Sequence, residues 1–266
     1  PTPTAMPDTL LLADIGNTCV KIGLASHAGM DATYALPTRV RYTADSLGLS
    51  LLELLRHAER TPDDLTACVM CSVVPDFDVL FRQACARFLK RDPLAFPSDF
   101  SLDMENHYER PDEVGADRLL AAYAARRLYP GPASLISVDF GTATTFDCVS
   151  GNAYLGGLIC PGVLSSHAAL AVGRAKLPRI SLEVWADVPL VGRSTTTSMR
   201  HGFVFGFAAM TEGLCRRLKE QLPGPVEVVG TGGFAADVAR VCDVVDHLRP
   251  DLILEGLRLA WAGRRP

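Results

Sequence analysis

Three acids in this sequence stand where a carboxylate could meet a phosphate. Asp14 opens Asp14-Ile15-Gly16-Asn17-Thr18, Asp139 opens Asp139-Phe140-Gly141-Thr142-Ala143-Thr144-Thr145, and Asp117 follows Gly115-Ala116 and precedes Arg118. Glycines and small hydroxyl residues directly after a buried strand let a phosphate approach backbone amides, because no Cβ stands in the way. Gly230-Thr231-Gly232-Gly233 is a third turn of this kind, and none of the three matches the P-loop or the dinucleotide fingerprint. A carboxylate at the mouth of each of two such strands suits a cation held against a polyphosphate. Asp117 lies outside that pair. Each acid also has a plainer reading: a turn cap for Asp14, and a helix cap or an ion-pair partner of Arg118 for Asp117.

The elements that must position these acids repeat. Leu10–Ala13 reads as a buried strand and Cys19–Ala25 as its return; Ser134–Val138 and Phe146–Val149 do the same around Asp139. An apolar strand, an Asp, an apolar residue, a Gly and then small polar side chains thus occur twice, which is a weak internal repeat of domain size. Apolar spacing predicts helices over Ala44–Arg60, Asp76–Lys90 and Val114–Leu128. Tyr129-Pro130-Gly131-Pro132 then marks a boundary between domains at 8–129 and 130–266. In the second half Gly156–Gly162 reads as a turn-rich loop leading into a helix. Ser194–Leu222 reads as a long helix, Val226–Gly230 as a strand and Pro250–Trp261 as a closing helix. This alternation means α/β.

Composition narrows the function classes. The 266 residues are 48% hydrophobic and 21% charged, the balance of a folded globular chain. A net charge of -4 without a dense Lys/Arg run argues against nucleic acid as partner. Pro1–Met6 lacks the basic start and long apolar stretch of a secretion signal, and reads as a start-site remnant before Met6 or Asp8. No segment reaches the roughly 18 to 20 apolar residues of a membrane span. The eight cysteines are scattered through apolar surroundings, which suits buried thiols in a reducing compartment and predicts a cytoplasmic protein. The close pair Cys68 and Cys71 lies in an apolar run ended by Pro75, so a buried strand is expected there rather than structural zinc.

The order and spacing of Asp14–Thr18, Gly115-Ala116-Asp117-Arg118 and Asp139–Thr145 resemble those of type III pantothenate kinases. Ser72-Val73-Val74-Pro75, Tyr108, Gly192–Gly202 and Gly232-Gly233 extend the likeness over nearly the whole chain. The resemblance implies two ribonuclease-H-like domains of the duplicated actin-like ATPase fold, with the active site in the interdomain cleft. It implies ATP-dependent phosphorylation of pantothenate to 4′-phosphopantothenate, the first step of coenzyme A synthesis, with Mg2+ and a monovalent cation (K+ or NH4+). Matched by position, Asp14, Ile15, Gly16, Asn17, Thr18, Cys19, Val20 and Lys21 resemble the first phosphate-binding segment, with Asp14 near the magnesium. Asp117 resembles the general base, and Tyr108, Gly115, Ala116, Arg118 and Thr195 the substrate contacts. Asp139 resembles the monovalent-cation ligand and Thr142 an ATP-phosphate contact. Arg118 also fits a structural salt bridge and Thr195 a helix N-cap. Arg193-Ser194 before Thr195 departs from the Lys-Asn of many relatives, which leaves the register within Thr195–Thr197 open. Arg200 and His201 read as a solvated or subunit-facing surface. The family likeness further implies a homodimer. The alternatives are a non-catalytic accessory regulator of the same family, and another small-molecule kinase or a polyphosphate phosphatase on the same fold.

Overall fold

Strands and helices alternate along the chain in an order that is used twice. The computed structural model describes residues 8–171 and 188–264, so the start-site reading of Pro1–Met6 lies outside the described residues. The first half contains β1 (Thr9–Ile15), β2 (Cys19–Ser26), β3 (Gly29–Pro37), α1 (Ala44–His57), β4 (Leu65–Ser72) and α2 (Pro75–Ala84). A π-helical turn (Cys85–Leu89), β5 (Leu94–Phe96), β6 (Glu105–Asn106) and α3 (Ala116–Leu128) follow. The second half contains β7 (Ser134–Phe140), β8 (Ala143–Ser150), β9 (Ala153–Pro161), α4 (Val163–Ala171) and α5 (Thr195–Lys219). It ends with β10 (Val226–Thr231), α6 (Ala235–Ala239), β11 (His247–Leu248) and α7 (Leu252–Ala262).

The described residues of Pro1–Asp103, Glu113–Ala124 and Ile253–Pro266 form one compact unit, and those of Met104–Asp112 and Ala125–Leu252 form the other. The first unit carries a sheet ordered β3-β2-β1-β4-β5, the second a sheet ordered β11-β10-β7-β8-β9-β6. Apart from β6, the second sheet read backwards repeats the first strand for strand. The central strand is antiparallel to its hairpin partner and parallel to the fourth strand in both. The residue-by-residue burial of β1 matches that of β7, and that of β2 matches β8. Each third strand ends in a proline opposite the first residue of the second strand, Cys19 with Pro37 and Ala143 with Pro161.

β1 is apolar at almost every position because helices cover both its faces. Leu11, Ala13 and Ile15 pack on Leu47, Leu51 and Leu55 of α1 and on Phe77 and Phe81 of α2. On the other face, Gly23 of β2 lies against Leu254 of α7, and Gly256 of α7 comes so close to α3 that a Cβ there would stand 2.5 Å from the Leu120 carbonyl oxygen. In the second unit Ile136, Val138, Phe140, Phe146 and Cys148 pack on Ala208 and Cys215 of α5 and on Ala235 and Val238 of α6. Among the described residues no helix is long and apolar enough to cross a membrane.

Two segments depart from the expected elements. The helix expected over Asp76–Lys90 ends at Ala84, passes into the π-helical turn and stops at Lys90, whose φ of 55° is left-handed. Gly156–Gly162, expected as a loop, lies largely within β9. Its glycines and proline gave a turn signal, but they have other duties here. Gly156 takes a φ of 109° beside an irregularity in the β8/β9 register, and Pro161 ends the strand.

Candidate active site

In the first unit, Asp14 is the sixth residue of β1 and is half-buried, on the face opposite Leu11, Ala13 and Ile15. In register with it are Lys21 on β2 and Cys71 on β4, and residues paired in this way share a face. Asp117 is also half-buried and lies in the first turn of α3. Burial pushes the Cys71 thiol well above its ordinary range, and the charges of Asp14, Asp117 and Asp78 push it further. Two acids about a hundred residues apart in sequence therefore bear on one buried thiol.

The carboxylate of Asp117 folds back over residue 115. A Cβ at Gly115 would stand 2.5 Å from Asp117 Oδ1, so a glycine is needed for this arrangement. The same oxygen accepts a hydrogen bond from the Arg118 backbone N–H at 2.8 Å, so Asp117 does cap its own helix, at the end where the dipole favours a negative charge. Arg118 is buried, with 8% of its surface exposed. The hairpin tip is held through its carbonyls: Thr38 Oγ1 donates to Gly16 O at 2.7 Å and the Thr38 N–H to Thr18 O at 3.2 Å. Asn17 and Thr18 are exposed at that tip, while Ile15 and Val20 are in the core.

In the second unit, Asp139 is the sixth residue of β7 and has Thr145 on β8 and Thr231 on β10 in register. A Cβ at Gly232, where φ is 93°, would stand 2.3 Å from Asp139 Oδ1; one at Gly141 would stand 3.2 Å away. Bare backbone thus surrounds the carboxylate on two sides. The Gly141 N–H donates to Ala143 O, so Thr142 alone forms the exposed tip where the first hairpin has Asn17 and Thr18. The Thr142 carbonyl accepts from Ser165 Oγ at 3.0 Å. Tyr108 follows β6, and a Cβ at Gly156 would meet its ring at 3.1 Å. The rings of Tyr108 and Tyr154 lie 6.3 Å apart and tilted by 43°.

Thr195 is the exposed first residue of α5, but it is not the cap. Ser194 accepts from the Thr197 N–H at 3.1 Å and donates its own N–H to Thr197 Oγ1 at 3.0 Å, a reciprocal box that claims the hydroxyls of Ser194 and Thr197. His201, expected on a surface, is buried with Nδ1 3.2 Å from the Leu190 carbonyl oxygen. A histidine that bonds the backbone can serve as core although its ring can carry charge.

A sequence model of the family described as type III pantothenate kinase matches residues 10–217. The chain belongs to this family. A type III pantothenate kinase of Nitratidesulfovibrio vulgaris (strain DSM 19637 / Miyazaki F) is 64% identical over 97% of this chain and 99% of its own. One of Oleidesulfovibrio alaskensis is 62% identical over 96% of this chain and 97% of its own, and one of Dehalococcoides mccartyi (strain 195) is 40% identical over 96% and 98%. Among solved structures, a ROK family glucokinase from Streptomyces griseus superposes with a TM-score of 0.51 at 14% identity, covering 96% of this chain and 100% of its own. At that identity the likeness speaks to the fold alone, which is the two-domain actin-like α/β fold.

For a type III pantothenate kinase, the residues missed in the sequence are those that the chain brings in from a distance. Cys71 had the signal of a core strand and nothing more. Gly232 belongs to a small-residue turn in the sequence, and its relation to Asp139 comes from β10 lying beside β7. Among the described residues no group of three His, Cys, Asp or Glu gathers as a metal cage. The half-buried Asp14 carboxylate near the end of β1 fits a Mg2+ ion of the kind carried on a nucleotide, which needs one or two carboxylates and takes its remaining ligands from phosphate and water. The single Asp139 carboxylate in a surround of bare backbone and threonines fits a weakly charged ion that prefers neutral oxygens.

Proposed function

We propose that the chain transfers the γ-phosphoryl group of ATP to the 4′-hydroxyl of pantothenate, with Asp117 as the proton acceptor. The hydroxyl oxygen forms a bond to the γ-phosphorus, the bond from that phosphorus to the β,γ-bridging oxygen breaks, ADP leaves, and the hydroxyl proton passes to the Asp117 carboxylate. The observation that carries this reading is the convergence of Asp14 and Asp117 on Cys71, with Gly115 cleared for the Asp117 side chain. Gly115, Ala116 and Arg118 hold the substrate beside the base, with the Arg118 guanidinium suited to the pantothenate carboxylate. Tyr108 gives an apolar wall, and Thr195 adds a hydroxyl.

In the same reading Asp14 to Lys21, with Ile15, Gly16, Asn17, Thr18, Cys19 and Val20 between them, lines the nucleotide phosphates. Asp14 would hold Mg2+, which supplies charge neutralisation at the transferring group when bound. Thr142 contacts the ATP phosphates, and Asp139 would hold K+ or NH4+. The duplicated sheets support two ribonuclease-H-like domains divided near residues 129–130, except that β6 belongs to the second sheet and α7 to the first unit. The free state of all eight cysteines supports a reducing, cytoplasmic setting. A homodimer is in keeping with the apolar residues Ile159, Leu190 and Val191, which are at least 65% exposed.

The test is a coupled assay of ADP release with purified protein. ADP release that needs pantothenate, Mg2+ and K+ or NH4+ together supports the assignment. Release that is independent of pantothenate, or unchanged in Asp117→Asn, overturns it.

A further inference from the structure

In the second unit a carboxylate is buried where the repeat has no need of one. Asp147 is the fifth residue of β8 and is 1% exposed; the fifth residue of β2 is Gly23, covered by Met30 and Leu254. Burying a carboxylate is costly unless hydrogen bonds hold it, so a duplicated fold does not acquire one at a packed position without a use. Asp147 is held. Its Oδ1 accepts from the buried Tyr154 hydroxyl at 2.8 Å, and its Oδ2 accepts from Thr145 Oγ1 at 3.2 Å.

Each donor leads to a residue of the candidate site. Thr145 is the cross-strand partner of Asp139 and shares its face of the sheet. Tyr154 is the ring beside Tyr108, and Tyr108 is laid over Gly156, two residues further along β9. The corresponding third residue of β2 is Lys21, which has no acid two residues on, so the device belongs to the second unit alone.

We propose that Asp147 is a positioning residue for the kinase reaction: through Thr145 it orients the Asp139 turn, and through Tyr154 it fixes the Tyr108 wall. One buried carboxylate then sets the geometry of both the cation turn and the pantothenate wall. The inference rests on the assignment of Tyr108 to pantothenate and of Asp139 to the monovalent cation.

The experiment measures two constants on full-length variants: KM for pantothenate at saturating ATP and K+, and the K+ concentration for half-activation. Tyr154→Phe removes one hydroxyl and raises the pantothenate KM about three- to tenfold, the size of one lost hydrogen bond, with the K+ constant unmoved. Thr145→Val raises the K+ constant by a similar factor, and Thr145→Ser, which keeps the hydroxyl, restores it. Asp147→Asn moves both. The proposal falls if Asp147→Asn folds with both constants at their wild-type values, or if Thr145→Ser behaves like Thr145→Val. Should Asp147→Asn not fold, the two hydroxyl variants decide: the split described supports the proposal, and wild-type constants in both overturn it. Tyr108→Ala and Asp139→Asn test the assignment beneath. If they shift neither constant, that assignment fails and the relay with it. If they shift them while the Asp147, Tyr154 and Thr145 variants do not, the relay alone fails.

Discussion

Gly232 lies directly against Asp139: a Cβ on residue 232 would stand 2.3 Å from Asp139 Oδ1 and 2.7 Å from the backbone nitrogen of Phe140. The Phe140 backbone cannot yield as the end of a side chain would, so the Asp139 carboxylate is the group that must move. Gly232→Ala is therefore expected to displace the carboxylate and also to strain a φ of 93°. The cost is about 1 to 3 kcal/mol in stability. The expected outcome is a lower melting temperature together with a raised K+ requirement. A K+ titration beside a thermal melt checks it, and a variant with unaltered K+ dependence would separate Asp139 from the cation.

Gly115 and Asp117 make a similar pair within one turn. Asp117→Asn retains the shape and the helix cap but cannot take up the hydroxyl proton. Its kcat should fall by roughly 10²- to 10⁴-fold with the KM for ATP little changed. Gly115→Ala retains the acid and displaces it, since the new methyl would stand 2.5 Å from Asp117 Oδ1. It should lose activity on the same scale, because misplacement by about 1 Å can cost on the order of a hundredfold. Steady-state kinetics on both variants check the pair. Full activity in Gly115→Ala would remove Asp117 from the reaction.

How much of this was legible in the sequence depends on how far each signal reaches along the chain. The two hairpins were readable because strand, acid and glycine are adjacent in sequence, and the pattern recurs at Asp14 and Asp139. The helices at 44–57 and 195–219 were readable because apolar spacing and capping residues are local. The strand at 153–161 was not, because Gly156, Gly157 and Pro161 signal a turn unless the ring of Tyr108 and the irregular register with β8 are known. The same limit hid Cys71, Asp147 and the fit of Gly232 to Asp139. Each owes its significance to a neighbour on another strand, and a cross-strand pair leaves no periodic trace in one sequence.

Cys71 lies where a further acid would be intolerable. It is buried, and Asp14, Asp117 and Asp78 already repel negative charge at its position. Cys71→Ser retains size and neutrality and should leave most activity. Cys71→Asp must either carry a proton or force charge between two like charges, and either outcome disturbs both acids. Its activity should fall by at least about a hundredfold, with a loss of stability of about 3 kcal/mol or more. Kinetics and denaturant melts of the two variants test this. Equal behaviour of Ser and Asp would place the two acids elsewhere.

The buried thiols also set an alkaline limit. Burial is the leading cause that raises Cys71, Cys215 and Cys242 above the ordinary thiol value, with Cys215 pushed up to about 12. Cys85 is raised too, first by its hydrogen bond with Cys68 and then by burial. In the unfolded chain these thiols lose their protons near pH 8.5, so above that pH the unfolded state binds fewer protons than the native state. The stabilisation is complete below pH 8.5 and is lost progressively as pH rises towards the folded values. Melting temperature should hold steady from pH 7 to about 8.5 and then fall. In Cys215→Ala the melting temperature starts lower, because a buried group has been removed, but its decline between pH 9 and 11 should be shallower. Melts at matched ionic strength across that range decide the point, and parallel declines in the two proteins would exclude Cys215 as a source of the alkaline limit.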